Sequence, residues 1–265
     1  MSTVTSRDGT TIAYSRVGEG PSVVLVDGAM CHRTFGPAEP LAKLLAPHFT
    51  VYTYDRRGRG ESTDVAPYAV EREVEDLAAL IDAAGGTAYV YGISTGAALA
   101  LEAANHGLPI KKLALYEAPF LIDDSYPPQP EDFVSRLETM LAEGRRGEVI
   151  KTFMKRVGTP GFAILLMRLT PMWPKLKKVA HTLLYDFAVL GENTKGKPYP
   201  EGRWASATVP TLVMDGGKSP AYMRTSMRTL AQVLPEARYD TVAGQNHLLK
   251  AEAIAPVLVD YFTDR

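Results

Sequence analysis

One cysteine in 265 residues, Cys31, leaves the chain without an internal disulfide and without the thiolate cluster of a cysteine-ligated metal. An excess of one charge is also missing. The 29 lysines and arginines meet 30 aspartates and glutamates, so neither nucleic acid nor a membrane surface is expected as a partner. Long apolar runs are absent, and the longest, such as Phe162 to Met167, are far too short to span a bilayer. Met1 to Thr11 is polar with no apolar signal region, which together with the lone cysteine fits a cytoplasmic setting. The Gly-x-x-x-x-Gly-Lys phosphate loop is missing, so the arginines at 56, 57 and 59 are expected to meet carboxylates or solvent. Nothing has metal-ligand spacing, and neither metal nor organic cofactor is expected.

What is present is a 46% hydrophobic chain, long enough for a large core in one domain. Val4-Thr5 and Thr10 to Val17 flank Asp8-Gly9 as a hairpin. Short strand-like runs follow at 22–26, 50–54, 88–91, 112–116, 209–214 and 237–242. Helical stretches are read at 37–45, 69–84, 97–104, 221–234 and 251–262, with Gly85-Gly86 stopping the second. Such alternation predicts an α/β fold with a mostly parallel sheet covered on both faces. Some ninety residues without a clear strand interrupt it. The predicted core is therefore 1–118 with 208–265, and 119–207 is a helical cap inserted between the sixth and seventh strands.

The stretch that organises the chain is Gly92-Ile93-Ser94-Thr95-Gly96. A β-type run precedes it and an alanine- and leucine-rich helical run follows, the setting of a nucleophile elbow. The turn is so tight that positions 92 and 96 must be small. Ser94 is thereby presented at its apex, and the helix N-terminus points free N–H groups toward any oxyanion formed there.

Four landmarks fall in one order: the Gly28 loop, Asp55-Arg57-Gly58-Gly60-Ser62, the elbow, and a histidine after the last strand. With these the chain resembles the α/β-hydrolase superfamily over nearly its whole length. The resemblance implies that Ser94 attacks a carbonyl, His247 takes its proton, and a carboxylate orients His247. Relatives commonly place that acid about four residues after the seventh strand, where this chain has Ser219. A second location in the superfamily, used by some haloalkane dehalogenases and by zearalenone-type lactonases, is the end of the sixth strand. Glu117 stands there and is the expected acid, with Asp215 as the alternative. The backbone N–H groups of Ala29 and Thr95 are the expected oxyanion donors. Asp27 replaces the histidine usual in that loop, and Cys31 is read as a packed, unactivated side chain.

The cap segment is rich in apolar side chains, from Phe162 through Leu165, Leu166 and Leu169 to Phe187, most of them expected to pack the cap onto the sheet. Met30, His32, Met172, Trp173, His181 and Tyr185 are the candidate pocket residues. A Met- and aromatic-rich lid over a serine favours an ester or lactone with a hydrophobic body. Carbon–carbon bond hydrolases and cofactor-free perhydrolases use the same three residues. The fold also serves as a non-catalytic receptor or scaffold, against which an intact Ser94, His247 and carboxylate argue.

Overall fold

The computed structural model describes residues 2–264. β1 (Ser2–Thr5) and β2 (Thr11–Val17) form the antiparallel hairpin. After them come β3 (Ser22–Val26), α1 (Ala38–Leu45), β4 (Thr50–Tyr54), α2 (Val70–Ala83), β5 (Ala88–Ile93), α3 (Thr95–Asn105) and β6 (Ile110–Tyr116). Between Tyr116 and Thr211 the described residues contain helices and no named strand: α4 (Phe133–Ala142), α5 (Arg146–Arg156), α6 (Gly161–Met167), α7 (Met172–Val179) and α8 (Leu183–Leu190). β7 (Thr211–Gly216), α9 (Ala221–Val233), β8 (Ala237–Val242) and α10 (Ala251–Phe262) complete the chain.

The eight strands form one sheet in the order β1-β2-β4-β3-β5-β6-β7-β8, parallel from β4 through β8. β3 to β7 are buried almost throughout, which is why they read as β-branched apolar runs and not as alternating ones. Two cores lie on the two faces. One packs Leu41 and Leu45 of α1 with Leu258 and Phe262 of α10, and the other packs α2, α3 and α9 together with the helices between β6 and β7. α2 buries Val74, Leu77, Leu80 and Ile81, the 3.6-residue stripe legible in the sequence.

β7 starts two residues later than the sequence reading put it. Pro210 has no N–H to give the ladder, so regular pairing with β6 begins at Thr211. Among the described residues no helix is long and apolar enough to cross a membrane. Parallel strands bring their carboxyl ends to one edge, and there β5, β6 and β8 run into Ser94, Glu117 and the loop that carries His247.

Candidate active site

Ser94 joins β5 to α3 with φ 57° and ψ −129°, a backbone state that an L-residue adopts only when its surroundings impose it. The two glycines supply the room. A Cβ at position 92 would lie 2.5 Å from the Gly96 carbonyl oxygen, and one at position 96 would lie 2.2 Å from that of Val26. The turn is pinned from the next strand by a hydrogen bond from the Ser94 N–H to the Tyr116 carbonyl (2.9 Å). Any larger residue at 92 or 96 would push α3 off β3 and β5.

Three side chains meet at this edge. The Ser94 Oγ lies 3.2 Å from His247 Nε2, and His247 Nδ1 lies 2.8 Å from Glu117 Oε2. His247 is 43% exposed at the side chain, whereas Glu117 is fully buried. The imidazole is held from beneath. The Tyr116 hydroxyl donates to the Asn246 carbonyl (2.8 Å), and the Lys218 N–H to that of Gln245 (2.7 Å). Glu117 itself sits at φ 47° just past β6, its N–H bonded to the Met214 carbonyl (3.1 Å). Its Oε1 accepts the Gly216 N–H (2.7 Å) and the Ser219 hydroxyl. Ser219, the residue at the commoner acid position, thus touches the carboxylate. Asp215 is buried with other partners, the Tyr239 hydroxyl and Arg224 Nε (3.6 Å), and makes no hydrogen bond to His247.

A carboxylate on Nδ1 selects the tautomer that carries its proton there, leaving the Nε2 lone pair facing the Ser94 hydroxyl. The arrangement can therefore draw a proton from the hydroxyl. The backbone N–H groups of Ala29 and Thr95 have no acceptor among the described residues. The loop carrying the first packs directly on the serine, since a Cβ at position 28 would lie 3.0 Å from Ser94 Cβ.

A buried charge network underlies that loop. Arg56 forks onto Glu73 (2.7 Å to each oxygen), Arg57 onto Asp76 (2.7 and 2.8 Å), and Arg59 Nη1 donates to the Gly28 carbonyl (2.7 Å). Asp186, from α8, reaches into this layer. Its Oδ1 accepts Arg56, Arg59 and the Thr95 hydroxyl, each at 2.8 Å. Burial alone would raise the Asp186 carboxyl, but Arg59 and Arg56 hold it below the ordinary range. The arginines thus meet carboxylates, as expected, and one of those comes from the helical segment. Sequence reading passed over Asp186; its only signal is a lone acid in the apolar run Leu-Leu-Tyr-Asp-Phe-Ala-Val-Leu. Asp186→Ala should destabilise the fold by about 3–5 kcal/mol in urea titrations, because it leaves two buried guanidinium groups short of a counter-charge. A loss below about 1 kcal/mol would count against the network as a structural tie.

Asp27 begins the same loop. Its carboxyl is pushed up to about 7, chiefly by burial, with Arg59 and Arg56 opposing. A raised carboxyl pKa means that the folded chain holds a proton the unfolded chain has lost, so this group's contribution falls as pH climbs from about 4 to about 7. Asp27→Asn fixes the neutral form. Its stability relative to the wild type should rise across that window and plateau above it, as urea unfolding at pH 5 and pH 8 would show. Cys31, nearby, has its thiol pushed up to about 12 by burial and by Asp27, in keeping with a packed, unactivated side chain.

The candidate pocket residues separate. Met30 is buried in the core beside the loop, and His32 is half-buried with its ring against Phe35. Trp173 is buried within the helical segment, whereas Met172 is exposed. His181 and Tyr185 are engaged with Asp64 of the β4–α2 loop, at 3.4 and 2.8 Å, and Tyr185 stacks on Tyr68 at 3.9 Å. These last two therefore fasten the helical segment to the core. Among the described residues no group of His, Cys, Asp and Glu is arranged to hold a metal.

Comparison with known proteins adds further findings. A model of the alpha/beta hydrolase family matches residues 23–257. An alpha/beta hydrolase from Sphaerobacter thermophilus DSM 20745 is 55% identical at a TM-score of 0.90, over 98% of this chain and 100% of that one. The enol-lactonase from Burkholderia xenovorans LB400 shares the fold, with 22% identity at a TM-score of 0.70 over 99% and 100% of the two chains. The pimeloyl-acyl-carrier-protein methyl ester esterase of Xanthomonas campestris is 35% identical over 103 residues, 38% of each chain. An uncharacterized hydrolase of Bacillus subtilis is 32% identical over 161 residues, and the chain spans 38–56% of the length of these curated relatives.

Proposed function

From the premise that this chain belongs to the alpha/beta hydrolase family, we propose that it is a serine hydrolase cleaving a carboxylic ester or lactone of a hydrophobic small molecule. The observation that carries the reading is the unbroken line of contacts from Ser94 Oγ through His247 to Glu117. His247 Nε2 takes the hydroxyl proton as Oγ bonds to the substrate carbonyl carbon. The resulting oxyanion lies against the N–H groups of Ala29 and Thr95. The imidazolium, stabilised by Glu117, returns its proton to the leaving alkoxide as the carbon–oxygen bond breaks, and acyl-Ser94 remains. Water, deprotonated by His247, repeats the steps to free the acid and the serine. In a lactone the alkoxide stays tethered and one ring-opened hydroxy acid leaves.

The helices between β6 and β7 act as a cap over this edge, fastened through Asp186, His181 and Tyr185. Esterase and lactonase relatives support the same class of substrate. The site needs no metal or organic cofactor in this scheme.

A fluorophosphonate probe tests the reading, because it reacts only with an activated serine. Peptide mapping should find the adduct on Ser94, and prior labelling should abolish turnover of short p-nitrophenyl esters. A correctly folded protein that takes up no probe would be a receptor or scaffold. Labelling with no turnover of esters or lactones would shift the reading toward carbon–carbon bonds.

A further inference from the structure

Among the described residues, six of the eleven large hydrophobic side chains exposed at the surface fall between Val157 and Met172. The expectation that apolar residues of this segment pack inward is met by Trp173, Leu176, Leu183 and Phe187 and fails at α6. Phe162, Leu165, Leu166 and Leu169 are 71, 60, 60 and 81% exposed. Their i, i+3, i+4, i+7 spacing sets them in one row along α6 and its last turn. Ile164 is buried and anchors the helix. Side chains this exposed project as a ridge and line no groove. Scattered surface leucines are ordinary, whereas a continuous row marks an interaction site.

Charge supplies an independent observation. From Val149 to Tyr185 the chain has no aspartate or glutamate, yet it has Lys151, Lys155, Arg156, Arg168, Lys175, Lys177 and Lys178. Lys151 pairs with Glu148 at 3.2 Å. Lys155, Lys175, Lys177 and Lys178 are exposed and have no acidic partner among the described residues. The whole-chain balance of 29 against 30, which argued against a membrane surface, is an average that hides this face.

We infer that the α6–α7 face docks on an anionic lipid surface, the Phe162–Leu169 row entering the headgroup boundary and the lysines meeting the lipid charges. An exposed apolar row, followed in α7 by three exposed lysines that lack an acidic partner among the described residues, supplies the insertion and the charge that such surfaces bind. A second copy fits poorly, because a two-fold contact through this stretch would bring the unpaired lysines of two copies together. A peptide would need a groove, and the row is a ridge. Burial lowers the imidazole of His32, on the loop after Ala29, and the charge of Lys175 adds to it. The docking does not depend on the hydrolase reading.

Flotation of the full chain with vesicles of phosphatidylcholine alone, or mixed with phosphatidylglycerol, tests this. Binding to the mixed vesicles should exceed binding to the neutral ones by about tenfold and fall steeply between about 0.05 and 0.5 M salt. Leu165→Glu combined with Leu166→Glu should cut it by about tenfold or more. Lys175→Gln, Lys177→Gln and Lys178→Gln together should do so at low salt. All these positions are exposed, so melting temperature and Ser94 labelling should be unchanged, which separates failure of docking from failure of the chemistry. Absent binding, equal binding to both vesicle types, or variants that bind like the wild type would overturn the inference. So would a concentration-dependent dimer in sedimentation that Leu165→Glu dissociates, since the face would then belong to a second copy.

Discussion

Replacing Glu117 by glutamine is expected to lower kcat by about 10⁴ while KM stays within about threefold of wild type. The hydrogen bonds on its other oxygen explain why the amide cannot substitute. Oε1 accepts from the Gly216 N–H and the Ser219 hydroxyl, so the amide oxygen is held on that side. The amide N–H₂ then faces His247 Nδ1, which must accept from it. Nε2 consequently carries the proton and donates toward Ser94, the reverse of what proton removal requires. Glu117 is buried behind the imidazole, so substrate affinity should barely move. Asp215→Asn should cost about tenfold or less, since its partners are Tyr239 and Arg224. Steady-state kinetics on one ester for both variants decide the matter. A crippled Asp215→Asn beside a mild Glu117→Gln would remove Glu117 from the mechanism and leave Ser94 and His247 in it.

That choice between two carboxylates shows how far residues alone reach. Gly92 and Gly96 announce the elbow because no side chain fits there, and the structure gives the contacts that exclude one. The strand ends at Tyr116 and Val242 place Glu117 and the His247 loop at one edge, since parallel strands share their carboxyl ends. Ser219 was legible as the missing acid, but its hydroxyl bond to Glu117 was not, because loop conformation decides it. Asp186 was harder still. It meets Arg56 across 130 residues of chain, and no local pattern records so distant a pairing. The outward turn of Phe162, Leu165, Leu166 and Leu169 escaped for a related reason. An apolar run with helical spacing carries no mark of which face meets protein, and only the burial of Ile164 resolves it.

Ser94→Ala and His247→Ala should each lower kcat by about 10⁶, and the double variant should be no worse than either alone. The two groups act on one proton. Without Ser94 the imidazole has no hydroxyl to deprotonate; without His247 the hydroxyl keeps its proton near pH 7 and attacks poorly. Removing the second partner therefore takes away nothing that still worked. What survives comes from groups neither substitution touches, the N–H donors of Ala29 and Thr95, and should stand about 10³–10⁴ above the uncatalysed reaction. Stability should change little in Ser94→Ala, which removes one half-buried hydroxyl from a turn held by Gly92, Gly96 and Tyr116. His247→Ala uncovers Glu117, whose buried carboxylate keeps the Gly216 and Ser219 donors. It should therefore remain folded in a melting curve, while losing the fluorophosphonate adduct. Single-variant losses that multiply in the double variant would mean two independent contributions. Ser94 and His247 would then not share one proton transfer, and the acyl-enzyme scheme would fall.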